Sequence, residues 1–165
     1  MRDMMKKSLV LLSVMLWAAT CGVNKSFASD VAVVVNANNP IMELSFRDLE
    51  KIFKLDKKYW ENGNKIYFIM QEAENLPTKI LLSKVYQMQN YHDLKTYWLG
   101  MIFREELSSF PQVLSSDEAI KRFIIQAPNA IGFINASSID TRVKVLRIDG
   151  KLPGDAGYPL TDNPS

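Results

Sequence analysis

Residues 31–35 are Val, Ala, Val, Val and Val, an unbroken apolar run of strand length. A strand with one wet face alternates polar and apolar side chains, whereas a run without alternation must be covered on both faces. That requirement excludes an open two-stranded ribbon and a one-layer sheet, and it calls for helices packed on either side. Asn36, Asn38, Asn39 and Pro40 then break the run with turn-forming residues.

The rest of the chain supplies those helices in alternation with further strands. Ser45 with Asp48 three residues on, flanked by Leu44 and Leu49, forms a capping signal with a hydrophobic staple. Phe46, Leu49, Ile52 and Phe53 follow on one helical face. Ile66, Tyr67, Phe68, Ile69 and Met70 read as a second buried strand. Pro77 suits a first helical turn, and Leu81, Leu82, Val85 and Met88 make the next helix amphipathic. Leu94, Trp98, Met101 and Ile102 mark another helix. Ser115 with Glu118 is a second capping box, opening a helix with Ile120, Phe123, Ile124 and Ala127 on its stripe. Residues 131–134 and 143–148 complete the strands. Strands separated by helices predict an α/β sheet of mostly parallel strands.

Ahead of this pattern, residues 1–28 read as a secretory signal peptide. Arg2, Lys6 and Lys7 are followed by an apolar segment over 9–19, too short to span a bilayer as a helix. Ser26 and Ala28 are the small residues that place a cut before Ser29. Cys21 leaves a lipoprotein reading open, although Thr20 stands where such sites prefer Gly, Ala or Ser. Residues 29–165 are then one domain, exported to the periplasm, with no cysteine and no transmembrane segment.

Composition narrows the function by exclusion. One Cys and one His among 165 residues cannot make a Cys/His zinc site within the chain. Twenty basic against 18 acidic residues leave a net charge of only +2, and the leader carries four of the basic ones, so nothing points to nucleic acid. His92 lies at a predicted helix start without an accompanying nucleophile motif. Glu105 and Glu106 are neighbours in sequence and do not face each other on a helix. Lys51, Lys54, Lys57 and Lys58 read as a solvated basic helix end, which suits the helix dipole, although an anion or partner patch is the alternative. Trp98 and Met101 read as core. No Gly-rich phosphate loop occurs. The expectation is a chain without catalytic residues, metal or cofactor.

The order of motifs carries more. The strand at 31–36, then Leu44, Ser45, Leu49, Ile52 and Phe53, then Trp60, resembles the second lobe of phosphate-type periplasmic substrate-binding proteins. Ala130, Ile131, Gly132, Phe133 and Ile134 are similar to the Ile-Gly-Tyr strand of that family. Gly157, Tyr158, Pro159 and Leu160 are similar to the segment that returns to its first lobe. The resemblance spans residues 31–160. It implies a single lobe of a type II periplasmic-binding-protein fold, where full-length members have two lobes closing around an anion. An open, one-sided site weakens every charge-assisted hydrogen bond to its ligand.

The anion loop departs from the family pattern. After the second strand, phosphate binders carry an Arg and then Ser-Gly-Thr at a helix start. The matching positions here are Gln71 for the Arg, then Asn75, Leu76 and Pro77 for the triplet. The guanidinium and the glycine are gone, and Pro77 has no amide hydrogen to donate. Glu72 and Glu74 add negative charge. Gln71, Asn75 and Thr78 are the candidate ligand-binding residues, for phosphate or another small anion held weakly. The alternative is an interaction module that docks on a membrane or envelope protein partner and binds no solute.

Overall fold

A computed structural model describes residues 30–162. The leader, its cleavage position and Cys21 lie outside the described residues. Five strands form the central sheet in the order β4-β3-β5-β1-β6. They are β1 (Val31–Asn36), β3 (Tyr67–Gln71), β4 (Gln112–Leu114), β5 (Ala130–Asn135) and β6 (Val143–Val145). β3 pairs in parallel with β4 and β5, and β1 pairs antiparallel with β5 and β6. Four strands therefore run one way and β1 runs against them. β2 (Glu43–Leu44) and β7 (Arg147–Ile148) form a separate parallel pair.

β1 is buried along its whole length, as a run without alternation requires. Val31, Val33 and Val35 face one helical layer with Phe68, Met70, Ile131 and Phe133. Ala32, Val34, Ile69, Ala130 and Ile134 face the other. The first layer holds α1 (Phe46–Phe53), α2 (Leu76–Leu81) and α3 (Tyr91–Phe103); the second is α4 (Asp117–Gln126) alone. Phe53, Phe68 and Phe133 join the first layer to the sheet, with ring centroids 4.7 to 6.4 Å apart. On the other face α4 lies so close that a Cβ on Gly132 would sit 3.0 Å from Ile120 Cγ2.

Polar side chains fix how the helices end. Ser45 Oγ accepts from the Asp48 amide at 3.0 Å, the predicted cap of α1. The last carbonyls of that helix accept hydroxyl hydrogens from Tyr86 (to Phe53, 2.7 Å) and Tyr97 (to Lys54, 3.1 Å). Buried Asn36, just past the β-branched run, donates to the carbonyls of Ile124 and Ile125 and so ties the end of β1 to the end of α4. The segment at 157–160 returns to the start of β1, where the Val31 amide donates to Leu160 and the Tyr158 hydroxyl to the Val31 carbonyl.

Three local expectations are corrected. The cap of α4 is Ser116, whose Oγ accepts from the Ala119 amide at 3.2 Å, and not Ser115. The helix opened by Pro77 runs as α2 and then widens into a π-helical turn over Leu82–Tyr86, ending where Gln87 takes a left-handed φ of 56°. The stretch 143–148 is two short strands in different sheets. It breaks at Leu146, which is fully buried and donates its amide to Val33.

Candidate functional site

β4 and β5 flank β3 on opposite sides, yet the crossovers that join them leave on opposite faces. The chain leaving β3 enters α2 in the first layer, and the chain leaving β4 enters α4 in the second. In open α/β sheets this divergence leaves a crevice beyond the carboxyl ends of the strands, where ligands bind. Here the crevice lies between Gln71, the last residue of β3, and Leu114, the last of β4, which are register partners.

The sequence candidates all sit there, and they face one another. Gln71 is 1% exposed. Its Nε2 donates to Asp117 Oδ1 at 2.6 Å and to the Phe133 carbonyl at 2.9 Å, and its Oε1 accepts from Asn75 Nδ2 at 3.0 Å. Asn75 also donates to the Ser115 carbonyl at 3.2 Å. Thr78 is fully buried and donates its hydroxyl to the Gln71 carbonyl at 3.2 Å. α2 begins at Leu76 with Pro77 in its first turn, and Asn75 makes no side-chain cap there. Glu74 is exposed and pairs with Lys79 at 3.1 Å, and the Glu72 amide is taken by Leu114.

Asp117, not singled out from the sequence, is the centre of the cluster. Oδ1 accepts from Gln71 Nε2 and, at 3.2 Å, from the Asn135 amide; Oδ2 accepts from Asn135 Nδ2 at 2.9 Å and from Ser138 Oγ at 2.6 Å. A carboxylate here therefore has four donors, two per oxygen. One turn along α4, Lys121 Nζ bonds the Ser138 carbonyl, Asp140 (2.7 Å) and Glu118 (3.2 Å). Arg142 grips Glu118 with two bonds of 2.8 Å and Asp140 with another of 2.7 Å. Hydrogen bonds first from Arg142 and then from Lys121 hold the Glu118 carboxyl at about 2, down from 4.5, and push Asp140 down as well.

Among the described residues, cavities of about 310, 280 and 460 Å³ lie elsewhere, and Gln71, Asn75 and Thr78 line none of these. The first opens beside Lys57, Lys58, Tyr59 and Lys65. Lys51 and Lys54 stay on their own helix with Asp48 and Glu50. His92 is exposed in the first turn of α3. Among the described residues no group of three His, Cys, Asp or Glu side chains is arranged to hold a metal, and no helix is long and apolar enough to cross a membrane.

Neither a protein-family model nor a curated protein sequence matches the chain. Solved structures do. An ABC-type phosphate transport receptor from Vibrio cholerae superposes with a TM-score of 0.61 at 21% identity, over 78% of this chain and 50% of that one. PstS from Borrelia burgdorferi gives 0.63 at 15% identity, over 82% and 55%. The fold is that of a single periplasmic-binding-protein lobe. A phosphate-binding protein from Stenotrophomonas maltophilia gives 0.54 at 13% identity, over 76% and 40%. Each match reaches from two fifths to just over half of the neighbour, so the lobe described here spans about half of such a receptor.

Proposed function

We propose that the protein is an exported, substrate-binding-protein-like module, related to phosphate ABC transporter receptors, whose anion crevice is filled from within. Phosphate or another small anion is then held weakly or not at all. The fold shared with phosphate receptors supports the first part, and the burial of Gln71 supports the second. Both Gln71 hydrogen-bonding atoms point into the protein, Asn75 and Thr78 point back at Gln71, and Pro77 offers no amide hydrogen. An incoming anion would have to break these bonds and lie beside the Asp117 carboxylate. Its affinity is expected to be no better than about millimolar, near −4 kcal/mol. The leader sequence supports a periplasmic location, and neither a reaction nor a cofactor enters this reading.

The test is thermal unfolding of residues 29–165 with and without 10 mM phosphate, about tenfold above that limit. A ligand bound only by the native state raises the midpoint. At fixed ionic strength a site at the millimolar limit adds about 1.4 kcal/mol, so the expected shift is about 5 °C or less, and a rise of about 15 °C, as micromolar binding would give, would contradict the reading.

A second reading, a module that docks on a membrane or envelope protein without binding solute, draws on one observation. Tyr67, Phe110 and Val113 are 40 to 50% exposed along the β3–β4 edge of the sheet. Affinity capture from the envelope fraction by the wild type, lost on Val113→Lys with Phe110→Ser, would favour it. Equal capture by both would count against it.

A further inference from the structure

The Asp117 cradle is built from parts that owe nothing to the helix on which Asp117 sits. Its four donors come from the end of β3 (Gln71 Nε2), the end of β5 (the Asn135 amide and Nδ2) and the 3₁₀ turn Ala136–Ser138 (Ser138 Oγ). Two donors converge on each oxygen, the pattern that matches a planar carboxylate. Gln71 is held rigidly for this role: it is buried, its other Nε2 hydrogen is fixed by the Phe133 carbonyl, and its Oε1 by Asn75. If the acceptor left, a buried N–H would lose its partner, which a folded chain tolerates poorly.

We propose that Asp117 is a resident ligand: its carboxylate occupies a small-anion site at the ends of β3 and β5. When that carboxylate is removed or drawn out, the site takes a free carboxylate of formate size. This rests on the reading of a crevice filled from within and gives that filling an identity. The preference for a carboxylate follows from the donors. All four are neutral, and the nearby cations Lys121 and Arg142 are engaged by Glu118 and Asp140. A planar monoanion that fits two donors per oxygen is satisfied by such a site. A phosphate dianion, larger and tetrahedral, finds no free positive charge in it.

The experiment is chemical rescue. Asp117→Ala deletes the carboxylate and leaves the donors, and its unfolding midpoint is expected to fall by roughly 5 °C or more. Sodium formate titrated to about 0.5 M, against sodium chloride at equal ionic strength, is expected to restore at least half of the loss and to saturate as a bound ligand does. The wild type and Asp117→Asn, whose side chain still fills the cradle, are expected to respond equally to the two salts. Should Asp117→Ala not fold in chloride, recovery on refolding into formate alone is the supporting result. Equal effects of formate and chloride, no recovery in either salt, or a variant as stable as wild type would each overturn the proposal. Failure here with no phosphate binding by the wild type would leave the filled-crevice reading standing. Tight phosphate binding by the wild type would remove that reading itself.

Discussion

Asn75 Nδ2 donates to Gln71 Oε1 at 3.0 Å, at the carboxyl end of β3 and the start of α2. The bond turns two polar side chains inward, and Gln71 passes the connection on to Asp117 and so to β5. The crevice is thereby a structural joint between β3, α2 and α4. Gln71→Leu keeps most of the volume but strips a donor from Asp117 and an acceptor from Asn75. A loss of about 1–3 kcal/mol is expected, the usual result of leaving buried polar groups unmatched. Urea unfolding measures it; a variant as stable as wild type would show that the joint contributes nothing.

Helix capping gives a prediction in which neighbouring serines differ. Ser45→Ala and Ser116→Ala remove hydroxyls that accept from Asp48 and Ala119, and each should cost about 0.5–2 kcal/mol. Ser115→Ala should stay within about 0.5 kcal/mol, because the atom of Ser115 that is used is its carbonyl. The same unfolding assay decides, and a cost at 115 with none at 116 would reverse the cap assignment.

The two serines also explain what could be read from the sequence. Ser115 with Glu118 satisfies the spacing of a capping box, and local spacing cannot choose between adjacent serines. The choice is made at long range: Glu118 is pulled to Arg142, and Asp117 to donors at 71, 135 and 138. The β-branched run at 31–35 was legible because its burial on both faces leaves a direct mark on composition. β4 was not, since Gln112 and Val113 are exposed and only the ladder with β3 holds them. The crevice candidates Gln71, Asn75 and Thr78 came from resemblance and do cluster. Asp117 escaped because its partners come from three separate segments.

Core packing makes two opposed predictions about volume. Phe53 is fully buried with its ring 4.7 Å from Phe68, so Phe53→Ala should cost about 3–5 kcal/mol. Gly132→Ala adds one methyl where Ile120 Cγ2 would stand 3.0 Å away. Because β-branched Ile120 has little rotamer freedom, about 1–3 kcal/mol should be lost. Wild-type stability in either variant would mean that the helix faces are assigned wrongly.

Acid should weaken the α4–β6 corner in a defined window. Glu118 is held at about 2 in the folded protein against an ordinary 4.5, so its folded-state value is depressed. Its stabilising contribution is complete above about 4.5 and is lost as pH falls through 2. Asp140 is depressed for the same reason and acts in the same direction. Arg142→Gln removes the largest cause, and NMR titration should then find the Glu118 carboxyl moved back toward 4.5. An unchanged Glu118 titration would show that Arg142 does not hold it in solution.

Isothermal titration of phosphate into the wild-type protein bears most directly on the central claim, that this lobe keeps the fold of a phosphate receptor while its crevice is closed by Gln71, Asn75 and Asp117. Run beside it, Gln71→Arg with Asn75→Ser, Leu76→Gly and Pro77→Thr puts the receptor-type loop back, and Asp117→Ala on that background frees the guanidinium from the carboxylate it would otherwise meet. The account predicts no saturable heat from the wild type below about 1 mM phosphate, and measurable binding once the loop is restored and Asp117 removed. Micromolar phosphate binding by the unmodified protein would contradict it.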